Sequence, residues 1–270
     1  VTREAFAEAV RGDPLDLGLT CALIAAEAEP GVDVGATVHQ LDALAALTRP
    51  LTRSQSPDPA GVAEALRLAL GVQSGFSGFP EDYDDLRASL LPHVLQRHRG
   101  LPILLAVVWV EVARRLDVPA FPLALPGEVI VGVGEPASGY VLVDPFRAGR
   151  TLSVHDVAER VRAAGGQFSR DLLTPTPPDL LLLRVLSNIR VLAARRRDAR
   201  TRLWAVEMSL LLPRHPAALR RERGELLVSL GDLRGGAREL DSYADAIADA
   251  EPAAAEVARG HARMARARLN

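Results

Sequence analysis

The sequence predicts an α+β protein, predominantly helical, in which a mixed domain with a small antiparallel sheet precedes an all-α region of repeated helix pairs. Three observations carry that prediction. Residues 102–116 are apolar nearly all round and read as a central helix. Directly after it come three β-rich runs, 120–125, 129–133 and 140–143, punctuated by Pro126-Gly127, Pro136 and Gly139. Beyond a proline-rich stretch the pattern turns wholly helical and repeats, Asp198 matching Asp232 at an offset of 34 residues.

The elements follow in order. Residues 1–50 read as helices: one starts at Thr2-Arg3-Glu4, Asp13-Pro14 breaks it, and Asp16 caps the next through Glu29, where Pro30-Gly31 ends it. Val38, Leu41, Leu44, Ala45 and Leu47 recur at helical spacing. Residues 49–59 are rich in Ser, Thr and Pro and read as a loop, 60–70 as a short helix and 71–85 as a loop with pinned aromatics. A helix at 89–96 leads into Arg97-His98-Arg99-Gly100, and Pro102 suits the first turn of the central helix because it has no N–H to leave unpaired. Glu111 interrupts that helix and needs an arginine partner or a polar pocket. After the sheet and a turn at 147–150, Ser153 caps a helix over 154–164 that Gly165-Gly166 ends. The predicted domains are 1–170, a linker at 171–179 with Pro175, Pro177 and Pro178, and 180–270. The last contains helices 180–196 and 201–212, then 217–230 and 235–249, then a closing helix at 253–269.

The chain has 270 residues, 48% hydrophobic and 24% charged, and a net charge of −2, which offers no global field for nucleic acid or anionic membrane. Its 32 basic residues are all arginine, so it has no lysine amine for isopeptide chemistry on itself. Cys21 is the only cysteine and sits in an apolar helical stretch, where an inert buried thiol is the default. No cationic leader opens the chain, and the longest apolar run, 101–110, is half a membrane span. The expected location is cytoplasmic, with no membrane partner.

The order of features at 97–146 carries a resemblance. Gly100-Leu101-Pro102 opens a helix, Gly127-Glu128-Val129 begins a strand, and Val143-Asp144-Pro145-Phe146 ends the next. This resembles the papain-type, transglutaminase-like fold, whose Cys stands at the helix N-terminus, His at one strand and Asp at the next. Matched by those landmarks, Pro102 (or Ile103) takes the Cys position, Glu128 the His position and Asp144 the Asp position. A Cys–His pair works because the base accepts the thiol proton and the helix terminus favours thiolate. Neither Pro102 nor Ile103 supplies a nucleophile, so the triad is degenerate and no catalytic residue is predicted. The 34-residue helix pairs resemble tetratricopeptide repeats. With Leu15-Asp16-Leu17, Gly75-Phe76-Ser77-Gly78, Asp82-Tyr83, Arg97-His98-Arg99-Gly100 and Leu183-Arg184-Val185-Leu186, the chain resembles the bacterial SirB family. That resemblance implies a transglutaminase-like domain followed by tetratricopeptide-type helices; family members often carry His where this chain has Glu128.

The leading functional expectation is therefore a catalytically silent regulatory or scaffolding module, with a protein partner on the repeats or the vestigial cleft. The alternative is a hydrolase or transferase rebuilt on Glu128 and Asp144, with His98 or Arg99 on the approaching loop; its bland counterpart is a carboxylate hydrogen-bonded to strand ends or paired to Arg150. Nucleic-acid binding through Arg195-Arg196-Arg197 or Arg220-Arg221 is disfavoured, because Asp198, Glu222 and Glu225 interrupt the clusters and no stacking aromatics accompany them. No cofactor or metal is expected: His93 and His98 fall on different helix faces, and Gly132-Val133-Gly134 lacks a following helix.

Overall fold

The structure is a computed structural model that describes residues 2–269. Its helices are α1 (Thr2–Ala9), α2 (Leu17–Ala28), α3 (Val34–Ser54), α4 (Pro59–Leu66), α5 (Leu91–Arg97) and α6 (Pro102–Arg115). Strands β1 (Ala120–Ala124), β2 (Val129–Glu135), β3 (Gly139–Asp144) and β4 (Arg150–Leu152) follow. The chain closes with α7 (Val154–Ala163), α8 (Pro178–Arg195), α9 (Ala199–Ser209), α10 (Ala218–Ser229), α11 (Leu233–Ile247) and α12 (Pro252–Ala267). They form two compact units, residues 12–185 and residues 3–11 with 186–269. Among the described residues no helix is long and apolar enough to cross a membrane.

In the first unit the sheet is an antiparallel meander in the order β1-β2-β3-β4. Residues 102–113 of α6 are buried without exception, which explains why its sequence shows no polar face. It packs against β1 and β2, with α2, α3 and α5 around it. The sheet buries Phe121, Leu123, Ile130 and Leu142 against Val157 and Val161 of α7. Asp16 caps α2 by accepting from Leu19 N at 2.8 Å, and Ser153 caps α7 through a reciprocal box with Asp156. Glu111 is buried and takes its charge partners from its own helix, Arg114 at 2.8 Å and Arg115 one residue further on.

Three local expectations need correction. Residues 49–54 are helical, because α3 runs through Pro50, and the hydroxyls of Thr48, Thr52 and Ser54 bond back to carbonyls of the preceding turn. One proline forfeits one backbone bond, which a long packed helix tolerates. The helix at 60–70 ends earlier as α-helix and continues as a π-helical turn over Arg67–Gln73. There Gly71 lies so close to the backbone of Ala148 that a Cβ would sit 2.0 Å from its carbonyl oxygen. Arg150, read as turn, begins β4 and pairs in register with Asp144.

The 75–85 segment is tied down by named bonds. Ser77 N donates to His98 O at 3.1 Å and Gly78 N to Phe146 O at 2.9 Å. Asp82 is buried and accepts from Phe79 N and Arg99 Nε, both at 2.9 Å. Asp85 is pushed up by burial, but hydrogen bonds from Arg87 and Arg97 outweigh this and hold its carboxyl at about 2 against an ordinary 3.8. A depressed carboxyl contributes stability that is complete above its unfolded value and lost as pH falls through its folded one. Resistance to urea therefore weakens between about pH 4 and pH 2. Asp85→Asn flattens that part of the profile; an unchanged slope in the variant would remove Asp85 from the account.

In the second unit the 34-residue spacing has a structural cause. Asp198 caps α9 by accepting from Thr201 N at 3.0 Å, and Asp232 caps α11 by accepting from Gly235 N at 2.8 Å. Each Asp N–H also closes the preceding helix, Asp198 to Ala193 O and Asp232 to Leu227 O, both at 2.9 Å. The residue before each is left-handed: Arg197 at φ 56° and Gly231 at φ 96°. Arg223 links Glu207 of α9 at 2.9 Å to Glu239 of α11 at 2.6 Å, and Arg3 of α1 reaches Glu207 at 2.7 Å.

Residues 171–179, read as a linker, include part of a short 3-10 turn, Arg170–Leu173, and lie along β1: Thr176 N donates to Pro122 O at 2.9 Å, and Ala124 N donates to Thr176 Oγ1 at 2.8 Å. The two compact units divide between residues 185 and 186, inside α8.

Candidate functional site

Three backbone endings converge on one cleft of the first unit. Pro102 occupies the first turn of α6, where it contributes ring carbons and no donor. Between β1 and β2, Pro126 and Gly127 form a two-residue turn, closed by Leu125 N to Glu128 O at 3.0 Å; Gly127 takes the positive φ of 78°. That turn sets Glu128 immediately before β2. Asp144 ends β3 and caps the short turn Pro145–Arg147 by accepting from Arg147 N at 3.3 Å. The cleft has a volume of about 400 Å³, and Tyr83, Pro102, Glu128, Asp144, Phe146 and Arg160 are among its lining residues.

Arg160, one helix later, dominates the electrostatics. From Nη1 it donates to Asp144 Oδ2 at 2.7 Å and to Glu128 Oε2 at 3.0 Å. Asp144 is 2% exposed, so this guanidinium is its nearest counter-charge; Arg147 Nε stands further off at 3.8 Å. Burial pushes the Glu128 carboxyl up, the Arg160 charge opposes this, and the nearby Asp144 charge adds to the rise. Tyr83 shares the same field: burial pushes its hydroxyl up, and Glu128 adds to that. Its ring stands 6.2 Å from that of Phe146. Arg184 donates from Nη2 to the Glu128 carbonyl at 3.0 Å, and burial pulls its guanidinium down.

Pro102, Glu128 and Asp144, the positions that the resemblance assigns to the triad, line one cleft. The sequence offers Arg150 as partner for the carboxylates; the partner found is Arg160. Arg150 pairs with Asp144 only through the backbone ladder, and its side chain is exposed. His98 and Arg99 do not serve the cleft. His98 closes α5 in the left-handed region, donates from Nδ1 to Ser74 O and stacks on Phe76 at 4.5 Å. Arg99 binds Asp82 and lies 4.7 Å over the Phe79 ring. Both hold the 75–85 segment, which in turn delivers Tyr83.

Cys21 lies on α2, buried, and is nowhere among the cleft residues. Burial pushes its thiol far up, and the Glu111 and Asp16 charges add to this, so the thiolate is suppressed. Among the described residues, no group of three or more His, Cys, Asp or Glu side chains is arranged to hold a metal ion.

Arg160, Arg147, Arg184 and Tyr83 have no role that the sequence assigns. Arg160 left one usable signal: it stands three residues after the buried Val157, on the same side of the helix. Arg184 and Tyr83 lie in stretches that carry the family resemblance, without any local pattern that gives their role.

Comparison with known proteins agrees with this layout. A family model described as the transglutaminase-like superfamily matches residues 36–187, and one described as a tetratricopeptide repeat matches residues 189–270. A UPF0162 protein of Xylella fastidiosa is 33% identical over 241 residues, covering 87% of this chain and 85% of the relative. A UPF0162 protein of Pseudomonas aeruginosa is 33% identical over 196 residues, 70% of this chain and 69% of its own. The human F-box only protein 21 is 28% identical over 114 residues, 38% of this chain and 18% of that protein. No solved structure matches.

Proposed function

This chain belongs to the transglutaminase-like superfamily, within the UPF0162 proteins, and on that footing we propose that it is a catalytically silent, SirB-type regulatory or scaffolding module that binds a protein partner in the cytoplasm. One observation carries the reading: at the positions that the resemblance assigns to the Cys–His pair and its Asp, Pro102 lines a cleft with two carboxylates that share the Arg160 guanidinium. Burial raises the Glu128 carboxyl, but a general base needs a nucleophile to deprotonate, and Pro102 supplies none. The tetratricopeptide-type helices support the partner-binding half of the reading, since stacked helix pairs present extended surfaces.

The test is direct. Purified full-length chain, incubated with a mixed peptide substrate and a primary amine, leaves peptide masses unchanged by mass spectrometry. Hydrolysed or amidated peptides that vanish with Glu128→Gln would instead establish the rebuilt, carboxylate-based hydrolase or transferase. That second reading draws on the upward-shifted Glu128 carboxyl beside Asp144.

A further inference from the structure

Positive charge exceeds negative charge around Glu128. Arg147, Arg160 and Arg184 bring three guanidinium groups to the two carboxylates Glu128 and Asp144. Arg160 is engaged by both carboxylates, and Asp144 also accepts the Arg147 N–H. The Arg147 side chain consequently meets Asp144 only at 3.8 Å and stays 61% exposed over the cleft. Arg184 is half-buried and makes no ion pair with the described residues; its bond goes to a neutral carbonyl. Glu128 acts on the Arg184 guanidinium only through space, and three guanidinium groups against two carboxylates leave net positive charge in the site. Glu128, meanwhile, commits Oε2 to Arg160, and Oε1 takes no hydrogen bond from any described residue.

The cleft thus offers an exposed anion-binding fork beside an unused acceptor, with the Tyr83 and Phe146 rings as an apolar wall. A fully ionised inorganic anion would suit Arg147 but brings no donor for Glu128 Oε1. The last residue of a peptide chain carries a carboxylate and an amide N–H on one Cα, and so offers an anion to the fork and a donor to the acceptor together. We propose that the cleft is a receptor for the C-terminal residue of a partner peptide, its carboxylate on Arg147 and its amide N–H on Glu128. This rests on the silent-site reading, in that the chain end is held and not processed.

The experiment uses the full chain on an array of pentapeptides anchored by their N-termini, each made as free acid and as C-terminal amide. The expected result is retention on free-acid spots, preferred over the matching amides by about 10-fold or more, the worth of one charge-assisted hydrogen bond. Arg147→Ala, a change at an exposed side chain, abolishes the preference, and Arg147→Lys restores part of it. Equal retention of acids and amides, no retention, or a preference that survives Arg147→Ala overturns the proposal. So does retention stripped equally by inorganic phosphate and by a free-acid peptide, which marks a simple anion site. Mass spectrometry of the spots separates the two readings. Shortened peptides refute catalytic silence, whereas intact peptides with no acid preference refute only the chain-end pocket.

Discussion

Arg160→Ala lowers the unfolding free energy by about 3–5 kcal/mol, the usual consequence of leaving a buried charge without its partner. Asp144 is 2% exposed, and once Arg160 is gone its remaining counter-charge is the Arg147 guanidinium at 3.8 Å. Urea unfolding checks this as a fall in midpoint at unchanged slope. The double variant Arg160→Ala with Asp144→Asn recovers a large part of the loss, because the amide needs no cation. A single-variant cost under about 1 kcal/mol would place the pair among weak surface ion pairs. Arg160 would then not be what holds the cleft carboxylates in place.

Gly71→Ala carries the second large effect, about 3 kcal/mol or more of destabilisation, at the upper end for overpacking. The added methyl would stand 2.0 Å from the Ala148 oxygen and 2.7 Å from its carbonyl carbon, both backbone atoms that cannot swing aside. Relief requires moving the turn at 145–149 and with it the Asp144 cap, so the variant also perturbs the cleft. Gly75→Ala is the useful control. A Cβ there meets nothing within 4 Å, and only the φ of 75° opposes it, at a cost of about 1–2 kcal/mol. Similar losses in both variants would show that the close approach at Gly71 is loose in solution.

Much of the architecture was legible in the chain because it is written in local chemistry. Asp16 and Ser153 announce their helices by spacing alone, and the all-apolar α6 announces its burial. Asp198 and Asp232 announce a repeat because the same cap is used twice. What escaped was decided by tertiary context. Pro50 inside α3 and the π-helical turn at Gly71 contradict local rules and persist through packing. The candidate site divides the same way. Pro102, Glu128 and Asp144 could be placed because each sits at the end of an element. Arg160 could not, since its 16-residue separation from Asp144 follows no short-range pattern and depends on how α7 lies beneath the sheet.

The seclusion of Cys21, 2% exposed on α2, makes the molecule its own gauge of breathing. With one sulfhydryl in the chain, a colour-forming disulfide reagent can report on a single place. Reaction must wait until that part of the core opens, and when reclosing is fast its rate measures the free energy of opening. The Arg160 and Gly71 substitutions can thus be ranked by how quickly the colour develops, without denaturant and without knowing any ligand.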